Sequence, residues 1–176
     1  MKLGRREALI VGGVALAAAA SGIALHRHRA TRSADPADAF WRASFPDQTG
    51  KLRRIVEWHG SILVCNFWAT WCAPCREEIP ILMEVRRKHL ASGVEMIGIA
   101  IDQAANVAEY AANMKISYPL LVADAIGLEL MRGLGNKSGG LPYTAFFDRS
   151  GALAHRKLGP LALPELEDTL QRLLRG

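Results

Sequence analysis

Two cysteines separated by two residues, Cys72-Ala73-Pro74-Cys75, stand where a strand pattern gives way to a helix pattern. Before them runs Ile62-Leu63-Val64-Cys65-Asn66-Phe67-Trp68, apolar enough to be buried on both faces. After them Arg76-Glu77-Glu78-Ile79 opens a helical repeat. A strand–turn–helix unit with sulfur at the turn places the first sulfur against unpaired backbone N–H groups and the positive end of the helix dipole. Both favour a thiolate. A thiolate with a second thiol behind it can carry out thiol–disulfide exchange. Any fold proposed for this chain has to present that turn at the edge of a core.

The rest of the chain permits one such core. Half of its 176 residues are apolar, which suffices for a single domain without staples. The pI of about 9.4 suggests an anionic partner, but the excess charge is not in the expected domain. Residues 1–32 hold six basic side chains (Lys2, Arg5, Arg6, Arg27, Arg29, Arg32) against Glu7, and the remainder balances at 16 basic and 16 acidic. No nucleic-acid partner is expected.

The basic end reads as a targeting segment. Leu9 to Leu25 is an uncharged run of 17 residues, rich in Gly and Ala, behind Lys2, Arg5 and Arg6. As a helix it would span about 25 Å, slightly short of a bilayer core. Ala18-Ala19-Ala20 before Ser21 offers a small-residue cleavage site. Length favours an uncleaved membrane anchor over a cleaved signal, with residues 1–30 as the segment and 9–25 as the membrane portion. Arg5-Arg6-Glu7-Ala8-Leu9 partly matches a twin-arginine export signal. His26-Arg27-His28-Arg29, just beyond the run, opposes export. A buried core helix is the plainer alternative, disfavoured by the polar linker that follows. Residues 31–39 read as that linker and 40–176 as the folded domain.

Along the domain, Asp47-Gln48-Thr49-Gly50 reads as a turn between short strands. A central strand is expected at 61–68, and further strands at 94–101, 120–122, 144–147 and 152–157. Helices are expected at 73–90 (bent at Pro80), 103–114, 125–132 and 164–174. Strands and helices alternate and then end in a hairpin and a helix. The expectation is an α/β domain, a mixed central sheet flanked by helices.

The segment from Asn66-Phe67-Trp68-Ala69-Thr70-Trp71 through Cys72 and Cys75 to Pro80 resembles the active-site segment of the TlpA-like thiol:disulfide oxidoreductases, which include the ResA and DsbE/CcmG types. Gly140-Leu141-Pro142-Tyr143-Thr144, with Phe147-Asp148-Arg149-Ser150-Gly151, resembles their second signature, in the correct order. The resemblance covers the chain from about residue 40 onward. It implies a thioredoxin fold, a periplasmic or other extracytoplasmic location, protein thiol and disulfide clients, a membrane thiol electron donor, and no cofactor beyond the Cys72–Cys75 pair. It also implies roles. Cys72 would attack and Cys75 would resolve the mixed disulfide. Pro142 would be a cis-proline, with Leu141 pairing an extended client through its backbone. Trp71, Ala73 and Pro74 would form the exposed rim, and Glu78 would be the acid near the cysteines. Ordinary thioredoxins place a buried Asp where this chain has Asn66. Asn cannot carry a proton, so proton handling would fall to Glu78 or water. The anchor-like leader points to a membrane partner and so to a reductant, and several relatives reduce disulfides for cytochrome c assembly. The expected direction is reduction, with cytochrome c maturation or a broader reducing role as the two client ranges.

Plainer readings compete at several positions. CxxC can be half of a zinc site, but no second CxxC or His pair completes it, and no metal is expected. Cys65 reads as a small buried apolar residue, with a regulatory thiol as the alternative. Trp68 reads as core. His59 reads as solvated, and His89 and His155 have no partner legible in the sequence. The plainer reading of Glu78 is a solvated helix carboxylate, and the resemblance favours the functional role over it. Two other functions use the same cysteines. A thiol peroxidase usually has a single peroxidatic cysteine in another setting, and a Cu(I) carrier would want a Met- or His-rich companion motif that is missing here.

Overall fold

The computed structural model describes residues 36–176. The targeting segment expected over 1–30, with its membrane portion at 9–25, lies outside the described residues. Among those described, no helix is long and apolar enough to cross a membrane. The chain divides into Met1–Asp38 and Ala39–Gly176.

The second unit is built on five strands in the order β5-β4-β3-β6-β7. They are β3 (Ile62–Trp68), β4 (Val94–Ala100), β5 (Leu120–Val122), β6 (Tyr143–Phe147) and β7 (Leu153–Leu158). β3, β4 and β5 run parallel, while β6 is antiparallel to β3 and β7 to β6. Every residue of β3 is buried, which is why its sequence is an unbroken apolar run rather than an alternation. β7, at the edge, alternates between half-buried and exposed residues and carries Arg156 and Lys157. A separate hairpin, β1 (Ser44–Pro46) with β2 (Leu52–Arg54), closes over the expected 47–50 turn, and Asp47 bridges to Leu121 at the far edge.

The helices are α1 (Pro36–Arg42), α2 (Ala73–His89), α3 (Ala104–Met114), α4 (Asp124–Gly133) and α5 (Leu163–Arg175). α2 runs on through Pro80. Its inward residues Ile79, Leu82 and Val85 meet Val64, Met96, Phe146 and the α5 leucines Leu166 and Leu170 in one cluster. Trp68 is fully buried in that cluster, and Gly98 makes the room. A Cβ at Gly98 would meet Leu120 Cδ2 at 2.6 Å and Trp68 Nε1 at 3.0 Å.

α1 was not expected. It occupies the end of the stretch read as a linker over 31–39. Its reason is Phe40, which is fully buried and stacks on Phe147 with ring centroids 4.2 Å apart. Beside it, Trp41 donates its indole N–H to the Gly151 carbonyl at 2.7 Å. Phe40→Ala removes one face of this stack and should cost about 3–5 kcal/mol, read as a lower denaturation midpoint with the cysteine pair still reactive.

Candidate redox site

β3 and β6 are antiparallel neighbours, so the turn that follows β3 and the loop that precedes β6 emerge at the same end of the sheet. Phe67 pairs with Tyr143, which sets Pro142 beside the exit of β3. This register brings two segments together that are some 70 positions apart in the sequence, roughly the span from Cys72 to Pro142.

Cys72 is the N-cap of α2, with extended backbone, and Pro74 occupies the first turn, where a missing N–H costs nothing. Cys72 and Cys75 are joined by a disulfide with an S–S distance of 2.01 Å. The Cys75 N–H donates to Cys72 Sγ at 3.3 Å. Of the two sulfur-bearing residues, Cys72 is 6% exposed and Cys75 fully buried. The rim around them is open. Trp71 is 67% exposed, Ala73 is exposed and Pro74 half-buried. The Leu141–Pro142 peptide is cis, Leu141 packs against the cluster that contains both cysteines, and the Pro142 carbonyl accepts the Gly159 N–H at 2.9 Å.

Glu78 is not a solvated carboxylate. It is 1% exposed, on the inward face of α2 in the second turn of the helix. One oxygen accepts the Asn66 amide at 2.7 Å, the other the Leu161 N–H at 2.9 Å. Asn66 also donates to Thr144 Oγ1 at 3.0 Å. Burial pushes the Glu78 carboxyl above its usual range, against the pull of these two hydrogen bonds. Glu78 and Leu161 border an open groove of about 240 Å³ with Ile81 and Pro160.

The remaining candidates sort simply. Cys65 is a free, fully buried thiol, and burial pushes its pKa well up. His89 does have a partner, Glu167 on α5, at 2.9 Å. His59 packs edge-on against Trp41 with centroids 4.9 Å apart. Among the described residues no group of His, Cys, Asp or Glu is placed to hold a metal ion. Sequence reasoning missed Thr70 and Asp102, which frame the turn before Cys72. Asp102 before a helix carries a capping signal, but nothing local points to Thr70.

The known proteins similar to this chain include thiol:disulfide oxidoreductases. The redoxin family model matches residues 33–170. The thiol-disulfide oxidoreductase ResA of Bacillus cereus is 27% identical over 129 residues, covering 72% of each chain. The thiol:disulfide interchange protein HelX of Rhodobacter capsulatus is 33% identical over 124 residues, 66% of this chain and 63% of HelX. A crystal structure of a thiol:disulfide interchange protein of the thioredoxin family from Chlorobium tepidum superposes with a TM-score of 0.65 at 30% identity, over 75% of this chain and 92% of that one. The chain belongs to the redoxin family, with the thioredoxin fold and the Cys72–Cys75 pair of a thiol:disulfide oxidoreductase.

Proposed function

We propose that this protein reduces disulfides of client proteins outside the cytoplasm, anchored to the inner membrane by residues 9–25 and recharged by a membrane thiol donor. The observation that carries the chemistry is the asymmetry of the pair: Cys72 caps the helix end and keeps a small solvent-exposed area beside the open rim, while Cys75 has none. The Cys72 thiolate attacks a client disulfide. A Cys72–client bond forms, and one client thiolate leaves. Cys75 then gives up its proton and attacks Cys72 Sγ. The Cys72–Cys75 bond forms, and the second client thiolate leaves, so two electrons have passed to the client. Glu78, three positions after Cys75 on α2 and buried, is the acceptor this reading assigns to the Cys75 proton, directly or through water, and its raised pKa brings it closer to a thiol in proton affinity. Trp71, Ala73 and Pro74 form the rim the client meets, and the Leu141 backbone pairs an extended client segment.

The direction of electron flow is supported by the leader, since tethering raises encounter with a membrane partner, and by the resemblance of the two signatures to a family in which several members reduce disulfides. Apocytochrome c is the client class this reading favours, because haem attachment needs free thiols. The test is the redox state in growing cells, trapped with acid and an alkylating reagent. Cys72 and Cys75 are expected mostly reduced, and oxidised once the membrane donor is deleted. The reduction potential is expected well below the roughly −120 mV of a strong oxidant. A steady-state disulfide with a potential near that value would make the protein an oxidase.

A further inference from the structure

Thr70 lies two residues before Cys72, on the turn that carries the exposed Trp71, and all its polar groups are engaged. Its N–H and hydroxyl both donate to Asp102 Oδ2, at 2.9 and 2.5 Å. Its carbonyl accepts Arg76 Nη1 from the first turns of α2 at 3.0 Å. The other oxygen of Asp102 faces α3, accepting the Gln103 N–H at 2.7 Å and the Asn106 amide at 3.0 Å. One carboxylate therefore divides between two tasks: Oδ2 holds the client-facing turn and Oδ1 holds the start of a helix. Asp102 is 8% exposed. Burial alone would push its carboxyl up, and the hydrogen bonds from Thr70, Asn106 and Gln103 outweigh it and hold the group ionised below its usual range. Hydrogen bonds to an ionised acceptor are the strong ones.

We infer that Asp102 and Thr70 are positioning residues for client docking: the Asp102 carboxylate, acting through Thr70, fixes the Trp71 rim beside Cys72 in the orientation a protein disulfide meets. The chemistry of Cys72 does not depend on this contact, because its sulfur is placed by the α2 helix end and by the Cys75 N–H. Docking does depend on it, because a rim free to move must be ordered each time a client binds. The inference rests on Cys72 exchanging with protein disulfides, not on the direction of electron flow in the cell.

The test uses the full chain, a protein disulfide such as insulin under a dithiol recycling system, and iodoacetamide as a small probe of Cys72. Turnover of insulin by the wild-type chain checks the exchange reading itself; the variants check the docking role. Thr70→Val keeps the shape and removes the hydroxyl. It is expected to raise KM for insulin about tenfold, because a rim released from this charge-assisted hydrogen bond holds the docking orientation only about a tenth of the time. Its kcat and the rate of Cys72 alkylation across pH should stay within about twofold, since the helix-end placement of the sulfur is untouched. Thr70→Ser restores the hydroxyl and should restore KM. Asp102→Ala should raise KM at least as far, and adding Thr70→Val to it should change little, because both act through one contact. If Asp102→Ala does not fold, the Thr70 pair decides. An unchanged KM in Thr70→Val overturns the inference. So does an equal loss of alkylation rate, which would mean that Cys72 itself has moved.

Discussion

Cys75→Ser is expected to halt the protein on its clients. The variant keeps Cys72 at the helix end, so the first attack proceeds and one client thiol is released per chain. The second attack has lost its sulfur, and the mixed disulfide accumulates to stoichiometry without turnover. It should be visible as a covalent adduct on non-reducing gels that disappears with dithiothreitol. Cys72→Ser should form no adduct and lose exchange completely. In the reduced wild-type chain, limiting alkylation should label Cys72 before Cys75, following their difference in access. Preferential labelling of Cys75, or adducts from Cys72→Ser, would reverse the two roles.

The second large effect concerns Glu78, through both stability and chemistry. Its carboxyl binds a proton more tightly in the fold than in the unfolded chain, because burial disfavours the charge. Between the unfolded pKa and the raised folded one, the native state therefore holds more proton than the unfolded state. Stability is then greatest below the unfolded pKa, falls as pH rises through the folded pKa, and is flat above it. The slope approaches about 1.4 kcal/mol per pH unit at most. Glu78→Gln should abolish this fall. The amide fits the space at a cost. Its carbonyl oxygen would accept the Leu161 N–H, and its NH₂ would donate to Asn66 Oδ1 if Asn66 turned its own amide over, with the Thr144 hydroxyl then donating to Asn66. The turned Asn66 NH₂ would then lie where Oδ1 now sits buried without a partner, at about 1–3 kcal/mol. The fold should persist with a lower midpoint, while the pH profile of exchange shifts because the internal proton acceptor is gone. Glu78→Leu is the contrasting case. It strands the Leu161 N–H and an Asn66 donor, at about 1–3 kcal/mol each. Denaturation midpoints across pH, with exchange rates on the same samples, would check both. Superimposable wild-type and Glu78→Gln profiles would leave Glu78 a packing residue.

Periodicity and punctuation made most of the domain readable. The apolar run of β3, the turn residues at 47–50 and 148–151, and the leucine spacing of α5 each mark their element locally, and the boundaries fall within a residue or two. α1 escaped because Asp35-Pro36-Ala37-Asp38 is polar. Yet proline at the first helical position is also a start signal, and the anchor that makes the helix worth forming, Phe147, lies more than a hundred positions away. The central place of β3 was readable from its unbroken apolar run, but the order of the other strands was not, because strand pairing is set by contacts distant in sequence. The site divides the same way. Cys72 and Cys75 are legible because their chemistry is local to one turn of helix. Glu78 could be placed on the helix but not inside the protein, since its burial depends on Asn66 from β3 and the backbone of Leu161, which arrives from the other end of the domain. His89 lacked a partner in the sequence for that reason too: Glu167 belongs to α5. Thr70 and Asp102 are ordinary residues until β3 and β4 lie side by side.

The borders of the sheet bear on the company this protein keeps. Under the proposed function this chain would meet unfolded polypeptide constantly, and bare strand edges are templates for it. One border here, β5, is three residues long and is bridged by Asp47. The other, β7, carries His155, Arg156 and Lys157 in sequence, with Lys157 tied to Glu165 of α5 at 2.8 Å. Neither offers a long apolar ledge on which a frayed client could settle. Incubated with excess reduced, unfolded protein, this chain should stay monodisperse, whereas a variant with Arg156 and Lys157 made apolar should begin to co-aggregate.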